Sequence, residues 1–474
     1  MYVRSLKPKL IESIRLLNKK PEPRSRVWVE AYGCSASMAD SEMISGLLKE
    51  AGYEIATSRK EGSLNLIVTC SVKDTTEHKM VHRIRQLSRE GKPLVVAGCL
   101  PKADRAKVES LNLSASLMGP HSIDSAAKVV GSALAGQRMV ALEDSPQSKV
   151  NLPRVRINPV VSIVEIASGC MSECTFCQTK VAKGWLDSYR IGDIVRQVQA
   201  DVADGCKEVW LTSTDSGCYG RDIGTDLAEL LRACCAVPGD FKVRIGMMNP
   251  QYVPEMIDRL ASAFEENEKM FRFVHMPVQS GSDSVLRKMK RGHTAQVFAD
   301  AVQELRRRMP DFSISTDIIV GFPGETEADF ERTLALVKET EPDVVNISRY
   351  SARPGTPAAK WKRVRSDVAK DRSERIHSLA REVAKKRNSA WKGWVGEIIV
   401  DEKITAAAAN KDADNNDNDD DNAGAAATAA MQGRNGAYKP VVVAQPPAGT
   451  KLGDRMRVQV YGFSSFSLKA RAIL

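Results

Sequence analysis

The sequence predicts an α/β protein with an N-terminal α/β domain, a central partial (β/α)6 barrel and a C-terminal small β-barrel. Apolar strands alternate with helices from about residue 26 to residue 390, and six of the later strands recur at the spacing of β/α units. After residue 390, apolar and polar residues alternate in short strands, which is typical of a small β-barrel.

Three strands of the N-terminal domain each end at a cysteine. The strands are Val27–Ala31, Leu64–Val68 and Leu94–Ala97, and the cysteines are Cys34, Cys70 and Cys99. Parallel strands share one carboxyl edge, where ligands bind, so we expect the three thiols to meet there. They are either ligands of one metal cluster or three buried core cysteines. Their common position at strand ends favours the cluster.

The central barrel begins with a second cysteine group, in which Cys170, Cys174 and Cys177 form a C-x3-C-x2-C triplet after the apolar run Val160–Ala167. Three thiols without a nearby fourth predict a 4Fe-4S cluster with one iron open to a ligand that is not protein. Zinc fits less well, because structural zinc sites use paired C-x2-C units. The spacing resembles the signature of the radical S-adenosylmethionine (SAM) enzymes. The resemblance implies that SAM chelates the open iron and is cleaved to a 5′-deoxyadenosyl radical.

The composition is that of a globular protein, with 43% hydrophobic and 27% charged residues. No window approaches the roughly 18 apolar residues of a membrane helix, and the N-terminus lacks the apolar core of a signal peptide. Ten cysteines in 474 residues do not suggest a secreted disulfide framework. We therefore expect a cytoplasmic protein without a membrane. The net charge of +10 favours a polyanionic partner.

The other motifs of the central domain come directly after its predicted strands, where a barrel carries its catalytic groups. The six strands are Val160–Ala167, Glu208–Thr212, Lys242–Ile245, Phe273–Val278, Ile314–Val320 and Val344–Ser348. The motifs are QTKVAKG, LTSTDSGCYGRDIG, RIGMMNP, HMPVQSGSDSVLRKMKRGHT, TDIIVGFPGET and SRYSARPGTPAA. Asp215, in the second motif, is either a polar active-site group or a loop cap.

These motifs, with YGCSASMADSE, TCSVKDTTE and AGCLP in the N-terminal domain, resemble the methylthiotransferase family of radical SAM enzymes. The resemblance implies an auxiliary 4Fe-4S cluster at Cys34, Cys70 and Cys99. It also implies a SAM pocket shaped by Gln279, Ser280, Gly281, Asp317 and the turn from Gly321 to Glu325. Ser37 and Val68 depart from the family, which usually has Asn at both positions. We expect the departures to affect the orientation of the cluster.

The C-terminal strands are predicted at Ile398–Val400, Tyr438–Val443, Arg455–Val460 and Ser467–Ile473. Arg434, Tyr438 and Lys439 lie in a segment that resembles the TRAM domain, an RNA-binding barrel, and the resemblance implies that they contact RNA. An insertion of Ala, Asn and Asp at 406–430 is expected to be disordered.

These patterns predict five segments. They are a basic N-terminal lead-in at 1–25, the N-terminal methylthiotransferase domain at 26–140, a linker at 141–155, the radical SAM core at 156–390 and the TRAM-like barrel at 391–474. The helix predicted near 366–394 is strongly basic, and we weigh a phosphate-binding role against a solvated face. Cys206, Cys218, Cys234 and Cys235 lie outside the cluster blocks and are interpreted as structural.

The resemblance implies a reaction at a carbon whose hydrogen no side-chain base can remove. It implies two 4Fe-4S clusters, two SAM molecules per turnover, a ferredoxin- or flavodoxin-like reductant and a sulfur donor. VKDTTE, CQTKVAKG and STDSGCYGRDIG are most similar to the archaeal and eukaryotic group that acts on N6-threonylcarbamoyladenosine at position 37 of tRNA. The alternatives are isopentenyladenosine in tRNA, an aspartate of a ribosomal protein, or a non-catalytic RNA-binding Fe-S scaffold.

Overall fold

A computed structural model describes residues 25–71, 74–143, 148–405 and 430–473. The chain forms two compact units. The first contains Met1–Ile157 and Gln178–Gly184, and the second contains Asn158–Cys177 and Trp185–Leu474. Apart from Ser25 and Ala430, the predicted lead-in and the predicted disordered insertion lie outside the described residues. No helix among the described residues has the length and apolar character that a bilayer crossing requires.

The first unit is built on a parallel six-stranded sheet with the order β2-β1-β3-β4-β5-β6. Its strands are β1 (Arg26–Ala31), β2 (Glu54–Ile55), β3 (Leu64–Thr69), β4 (Leu94–Gly98), β5 (Ser116–Met118) and β6 (Val140–Ala141). Its helices are α1 (Ser35–Glu50), α2 (Asp74–Ser88), α3 (Cys99–Ala103), α4 (Arg105–Leu111), α5 (Ala126–Leu134) and α6 (Thr179–Lys183). Every residue of β3 and β4 is buried, as expected for strands covered on both faces.

The three strands that precede cysteines are neighbours in this sheet. Ala31 of β1 pairs with Val68 of β3, and Thr69 of β3 pairs with Gly98 of β4. Their carboxyl ends therefore lie side by side, as predicted. The order also places a topological switch between β1 and β3, which is where open parallel sheets bind ligands.

The described part of the predicted linker packs on the first unit. The backbone N–H of Val155 donates to the carbonyl of Glu42 at 2.9 Å. Lys149 is buried and its ammonium lies 2.6 Å from the Asp40 carboxylate. Both acceptors belong to α1, so at least these residues are fixed on the unit and do not form a free connector.

The second unit begins with six parallel strands that occur in chain order. They are β7 (Val161–Glu165), β10 (Glu208–Thr212), β11 (Lys242–Ile245), β12 (Phe273–His275), β13 (Ser313–Val320) and β14 (Val344–Arg349). β7, β10 and β11 form one sheet and β12, β13 and β14 a second. Parallel bridges from Val243 to Met270 and from Met247 to His275 join them. The predicted partial (β/α)6 barrel is confirmed.

Helices connect these strands, and one short hairpin accompanies the cysteine loop. The hairpin strands are β8 (Ala167–Ser168) and β9 (Asp187–Ser188). The helices are α7 (Ile191–Ala203), α8 (Leu227–Cys235), α9 (Ile257–Glu265), α10 (Asp283–Met289), α11 (Ala295–Arg308), α12 (Glu327–Thr340) and α13 (Ser366–Ser389). A capping box of Thr326 and Asp329 fixes the start of α12.

The second unit ends in a closed five-stranded barrel with the order β15-β16-β17-β19-β18. Its strands are β15 (Val395–Ile404), β16 (Ala430–Arg434), β17 (Pro440–Val443), β18 (Arg455–Phe463) and β19 (Leu468–Ala472). The predicted small β-barrel is confirmed, but β16 was not predicted, because it has no β-branched residue. Tyr438 does not begin a strand as predicted, because it lies in a turn with φ +59°.

Candidate active site

The central cysteine triplet lies on the loop after β8. Cys170 is buried, whereas Cys174 and Cys177 are partly exposed. The backbone N–H of Ser172 donates to Cys170 Sγ at 3.3 Å. The hydroxyl of Ser172 accepts from Asn249 Nδ2 at 3.2 Å and from Gln251 Nε2 at 2.8 Å. The MMNP motif after β11 therefore holds the loop in position.

Arg291 contacts the same triplet, although the sequence pattern assigned it no role. Its Nη1 donates to Cys174 Sγ at 3.3 Å and its Nη2 to the carbonyl of Pro277 at 2.7 Å. The residue is only 6% exposed, so its charge acts on the thiol with little screening by water. Arg291 thus ties the Cys174 sulfur to the turn at Pro277. The signal available in the sequence was its position in the KMKRGHT stretch after β12.

Cys218 and Asp215 also lie at this site. The ligand atoms of Cys170, Asp215 and Cys218 are all within 4.8 Å of one another. A hydrogen bond from the Cys218 thiol lowers the pKa of Cys170, and burial raises the pKa of Asp215. Asp215 also accepts from the backbone N–H groups of Gly217 and Asn249, at 3.0 and 2.9 Å. Asp215 therefore caps its loop and also faces Cys170. These contacts agree with both interpretations that the sequence left open.

Cys218, which was interpreted as structural, is buried close to Cys170 and Asp215. It sits on the loop after β10, at the carboxyl edge that carries the triplet. Cys206, Cys234 and Cys235 match the structural interpretation, because each is buried in the second unit. Burial raises the pKa of Cys234 to about 12 and that of Cys235 to about 11.

The N-terminal cysteines follow three neighbouring strands at the carboxyl edge of the first sheet. Cys34 caps α1 and is exposed, and Cys70 and Cys99 come after β3 and β4 and are buried. Gly33, with φ +122°, passes so close to Cys70 that a Cβ on this residue would lie 2.2 Å from the Cys70 Cβ. Only glycine allows this approach. The first and second cysteines are thus held together by the backbone of the YGC turn.

Lys183 and Ser37 surround this N-terminal group. Cys34 Sγ lies 3.6 Å from Ser37 Oγ, so the departure from the family pattern places a hydroxyl on the first cysteine. A hydrogen bond from the Cys70 thiol, assisted by the charge of Lys183, holds the pKa of Cys34 well below its ordinary value. Burial raises the pKa of Cys99 to about 12, and the charge of Lys183 opposes that rise. Lys183 is buried at the end of α6, which packs against α3.

Gln279 and Asp317 occupy the edge where the SAM pocket is expected. Gln279 has φ +73°, and its buried Oε1 has no hydrogen-bond partner among the described residues. Its backbone N–H donates to the carbonyl of Asp317 at 2.8 Å. Asp317 Oδ1 lies 3.1 Å from His275 Nε2. An unpaired buried carbonyl oxygen is costly unless a ligand donates to it, so this edge fits a polar ligand.

The other residues predicted for the pocket make structural contacts. The backbone N–H of Gly281 donates to Thr333 Oγ1 at 2.9 Å, and Ser280 Oγ lies 3.3 Å from the same atom. Glu325 accepts from the N–H of Gly321 at 2.7 Å and from Arg372 at 2.8 Å. Ser280 and Gly281 thus fasten the chain to α12, and Glu325 closes the turn after β13.

The predicted RNA-binding residues are placed inside the second unit. The Tyr438 ring lies 4.8 Å from the ring of Phe271, and the guanidinium of Arg434 lies 4.8 Å over it. The ammonium of Lys439 is buried, 2.7 Å from the carboxylate of Asp343. These side chains dock the small barrel on the partial (β/α)6 barrel of the same unit. Arg434 and Tyr438 are partly buried and Lys439 is buried, and their contact with RNA stays a prediction.

Two family models match the chain. Residues 26–119 match "Uncharacterized protein family UPF0004", and residues 164–337 match the radical SAM superfamily. A probable threonylcarbamoyladenosine tRNA methylthiotransferase of Pyrococcus abyssi is 40% identical over 79% of this chain and 88% of its own length. The chain belongs to this methylthiotransferase family.

Other members of the methylthiotransferase family are similar to the chain to nearly the same degree. The probable threonylcarbamoyladenosine tRNA methylthiotransferase of Archaeoglobus fulgidus is 40% identical over 80% of this chain and 88% of its own length. A Drosophila melanogaster threonylcarbamoyladenosine tRNA methylthiotransferase is 39% identical over 75% of this chain and 65% of its own length. As a member of the radical SAM superfamily, the chain is a radical enzyme that uses SAM and a 4Fe-4S cluster.

A solved structure shares the fold of the chain. The radical SAM methyltransferase TsrM of Kitasatospora setae, with cobalamin and a [4Fe-4S] cluster bound, has a TM-score of 0.51 and 15% identity. The match covers 71% of this chain and 77% of that one. At this identity the likeness concerns the fold alone.

Proposed function

We propose that this methylthiotransferase converts N6-threonylcarbamoyladenosine at position 37 of tRNA, beside the anticodon, to its 2-methylthio derivative. The observation that carries the proposal is the pair of cysteine triplets. The cysteines of each triplet follow strands at the carboxyl edge of a parallel sheet, in a chain about 40% identical to enzymes named for this substrate. The hydrogen at carbon 2 of adenine is too weakly acidic for a side-chain base, which explains the need for radical chemistry.

Two clusters fit the two donor sets. Cys170, Cys174 and Cys177 would hold the cluster that binds SAM, and Cys34, Cys70 and Cys99 would hold an auxiliary cluster. Both sets consist of thiols only, which is the donor type of iron–sulfur clusters. When bound, the clusters and two SAM molecules per turnover supply the radical that removes the hydrogen and the methylthio group that replaces it. A ferredoxin- or flavodoxin-like reductant and a sulfur donor would complete the reaction.

The chain's own groups position these cofactors. Arg291 donates to Cys174 and Ser172 to Cys170, so both sulfurs have fixed hydrogen-bond donors before a cluster binds. Gln279 Oε1, after β12, and the carboxylate of Asp317, within β13, would accept hydrogen bonds from SAM. Ser280, Gly281, Gly321 and Glu325 act on this pocket through the backbone turns they hold.

The small barrel has a further face, besides the predicted residues, that suits contact with RNA. Arg457 and Tyr461 on β18 and Arg471 on β19 are exposed and point away from the barrel core. Tyr461 is 54% exposed, which is unusual for a large ring and suits stacking on a base. We therefore assign the RNA contact of the barrel to this face. The proposed domain bounds are 391–474 for the TRAM-like barrel and 156–390 for the radical SAM core.

The test is mass spectrometry of tRNA nucleosides from a host that lacks its own methylthiolase for the threonylcarbamoyl base. We expect 2-methylthio-threonylcarbamoyladenosine to appear with the wild-type chain and with Cys206→Ala, a buried cysteine outside both sites. It should be absent with Cys170→Ala. A new methylthio group on isopentenyladenosine or on a ribosomal protein aspartate would replace the proposed substrate. No product from a chain with filled clusters and a reductant would favour a non-catalytic scaffold.

A further inference from the structure

A cavity of about 560 Å³ opens beside the central cysteine loop, and neither cysteine triplet lines it. Its walls include Lys288 after β12, Pro323 and Gly324 after β13, and Trp361, Lys362 and Arg363 after β14. It therefore lies at the carboxyl edge of the last three strands of the partial barrel. The volume is in the range of sites that bind small ligands or a nucleotide.

The walls of this cavity are built on the cysteine loop itself. The Thr175 hydroxyl donates to the carbonyl of Lys288 at 2.9 Å, and the backbone N–H of Thr175 to the carbonyl of Met289 at 3.0 Å. The buried ring of Phe322 contacts Phe176 edge-on at 6.2 Å and Trp361 edge-on at 5.9 Å. A ligand in the cavity would thus lie one layer of side chains from the loop that carries Cys174 and Cys177.

The cavity is cationic, and its charge is available. Lys288, Lys362 and Arg363 are exposed, and no carboxylate among the described residues forms an ion pair with them. The ammonium of Lys288 donates to the carbonyl of Gly324 at 2.8 Å, which fixes one cation on the rim. Among the described residues, no acidic side chain lines the cavity. Its charge therefore favours an anionic ligand.

The basic helix α13 provides the contrast. Its Arg372 and Arg375 pair with glutamates at the start of α12, and its Lys386 and Arg387 pair with Glu341 and Asp343. Much of its charge therefore holds the protein together. Of these two basic regions, the cavity is the one whose cations are free of carboxylates among the residues that the structure describes.

Trp361 adds an aromatic surface to these charges. Its side chain is 37% exposed although one edge packs on Phe322. A fixed, partly exposed indole beside several cations is the combination with which proteins bind single-stranded nucleic acid, by stacking a base and neutralising its phosphate. A free anion such as phosphate would use the cations and leave the indole without a function.

We propose that this cavity binds a nucleotide of the RNA substrate that neighbours the target base, with its base on Trp361 and its phosphate at Lys362 and Arg363. The inference rests on the proposed function, since it assumes an RNA substrate. It adds the contact that would hold the anticodon loop beside the cysteine loop.

The experiment measures binding of a tRNA anticodon stem-loop by fluorescence anisotropy at several salt concentrations, on protein with filled clusters. We expect Trp361→Ala to weaken binding about tenfold and Trp361→Phe to retain most of it. The double variant Lys362→Gln/Arg363→Gln should lower the slope of log Kd against log salt by about 0.7 for each phosphate that the protein no longer neutralises. The control is Lys385→Gln/Lys392→Gln, an equal charge change outside the cavity, which should alter the slope less.

A second readout separates an RNA site from a SAM site. Reductive SAM cleavage without RNA should be unchanged in all cavity variants with wild-type iron content. Loss of that cleavage would assign the cavity to SAM and overturn the proposal, as would RNA binding equal to wild type. If the wild-type chain neither binds nor modifies tRNA, the proposed function itself fails. If it modifies tRNA and the cavity variants do so equally well, only the cavity assignment fails.

Discussion

The two cysteine sites differ in how the chain assembles them. The central triplet occupies eight residues of one loop, from Cys170 to Cys177, so its spacing is set locally. The N-terminal triplet comes from three strand ends between Cys34 and Cys99 and exists only once β1, β3 and β4 are paired. The local site depends on contacts that orient a loop, whereas the distributed site depends on the sheet. Changes to single residues should therefore affect the two sites differently.

The test with the largest expected effect replaces one cysteine in each site with alanine. Cys170→Ala should abolish SAM cleavage, and the methylthio product with it, because the SAM-binding cluster loses a ligand. Cys34→Ala should leave SAM cleavage intact while stopping product formation. The measurements are 5′-deoxyadenosine release and nucleoside mass spectrometry. Loss of cleavage in a folded Cys34→Ala protein would mean that the two sites do not divide the reaction in this way.

A backbone change should break the distributed site alone. Gly33→Ala places a Cβ 2.2 Å from the Cys70 Cβ, so the turn must move and the first cysteine with it. We expect bound iron to fall by about half, since one of two four-iron clusters would be lost. Gly91→Ala is the matched control, because Gly91 also has positive φ but a Cβ there would have no atom within 4 Å. Full iron content in Gly33→Ala would contradict the assignment.

The local site should be sensitive to its fixed cation. Arg291→Met removes the donor to Cys174 Sγ, and residues that orient metal ligands typically contribute about 10- to 100-fold to affinity or activity. We expect SAM cleavage to fall about tenfold, with a shift in the potential of one cluster by redox titration. Arg287→Met, an exposed arginine on α10, is the comparison. An unchanged potential would show that Arg291 only fastens the Pro277 turn.

A change outside both sites should lower stability and spare the iron. Asp343 is buried among Lys439, Arg387 and Arg306, and although burial opposes its charge, these cations lower its pKa. Asp343→Asn removes the buried carboxylate that these three cations share, at a cost of roughly 3–5 kcal/mol near neutral pH. Asp367→Asn, in an exposed pair that solvent screens, should leave the melting temperature nearly unchanged. Thermal melting with parallel iron assays measures both, and loss of iron in folded Asp343→Asn would link the docked barrel to the clusters.

The ion pairs of Asp343 also make the stability of the protein depend on pH. Because the folded-state pKa of Asp343 is lowered, its stabilising charge is present above the unfolded value of about 3.9 and is lost as pH falls through the lower folded value. The difference in melting temperature between wild type and Asp343→Asn should therefore be constant from pH 7 to about 5 and shrink below about pH 4. A gap that widens in acid would exclude this ion pair as the cause.

Local sequence patterns were sufficient to predict the strands that precede both cysteine triplets. The order of residues alone places Cys34, Cys70 and Cys99 after apolar strands. It also gives the C-x3-C-x2-C spacing that begins at Cys170. The sequence did not identify Arg291, Lys183 and Cys218 as site residues, because each lies near a cysteine through tertiary packing that no local pattern encodes. Arg434, Tyr438 and Lys439 suggest an RNA surface in sequence, because they are basic and aromatic. Tertiary packing, which the sequence does not encode locally, gives them partners within the second unit.

The division of the chain has a consequence for how such a protein can be recombined. The first unit consists of Met1–Ile157 and the seven residues Gln178–Gly184. In the sequence, this short segment follows the cysteine loop, which belongs to the second unit. A gene fusion joined at residue 157 would therefore pair one parent's Cys34 and Cys99 with the other parent's Lys183. Functional chimeras should require two crossovers around the short insert, or a single exchange beyond Gly184. A segment shorter than two helical turns thus prevents the two units from being exchanged independently.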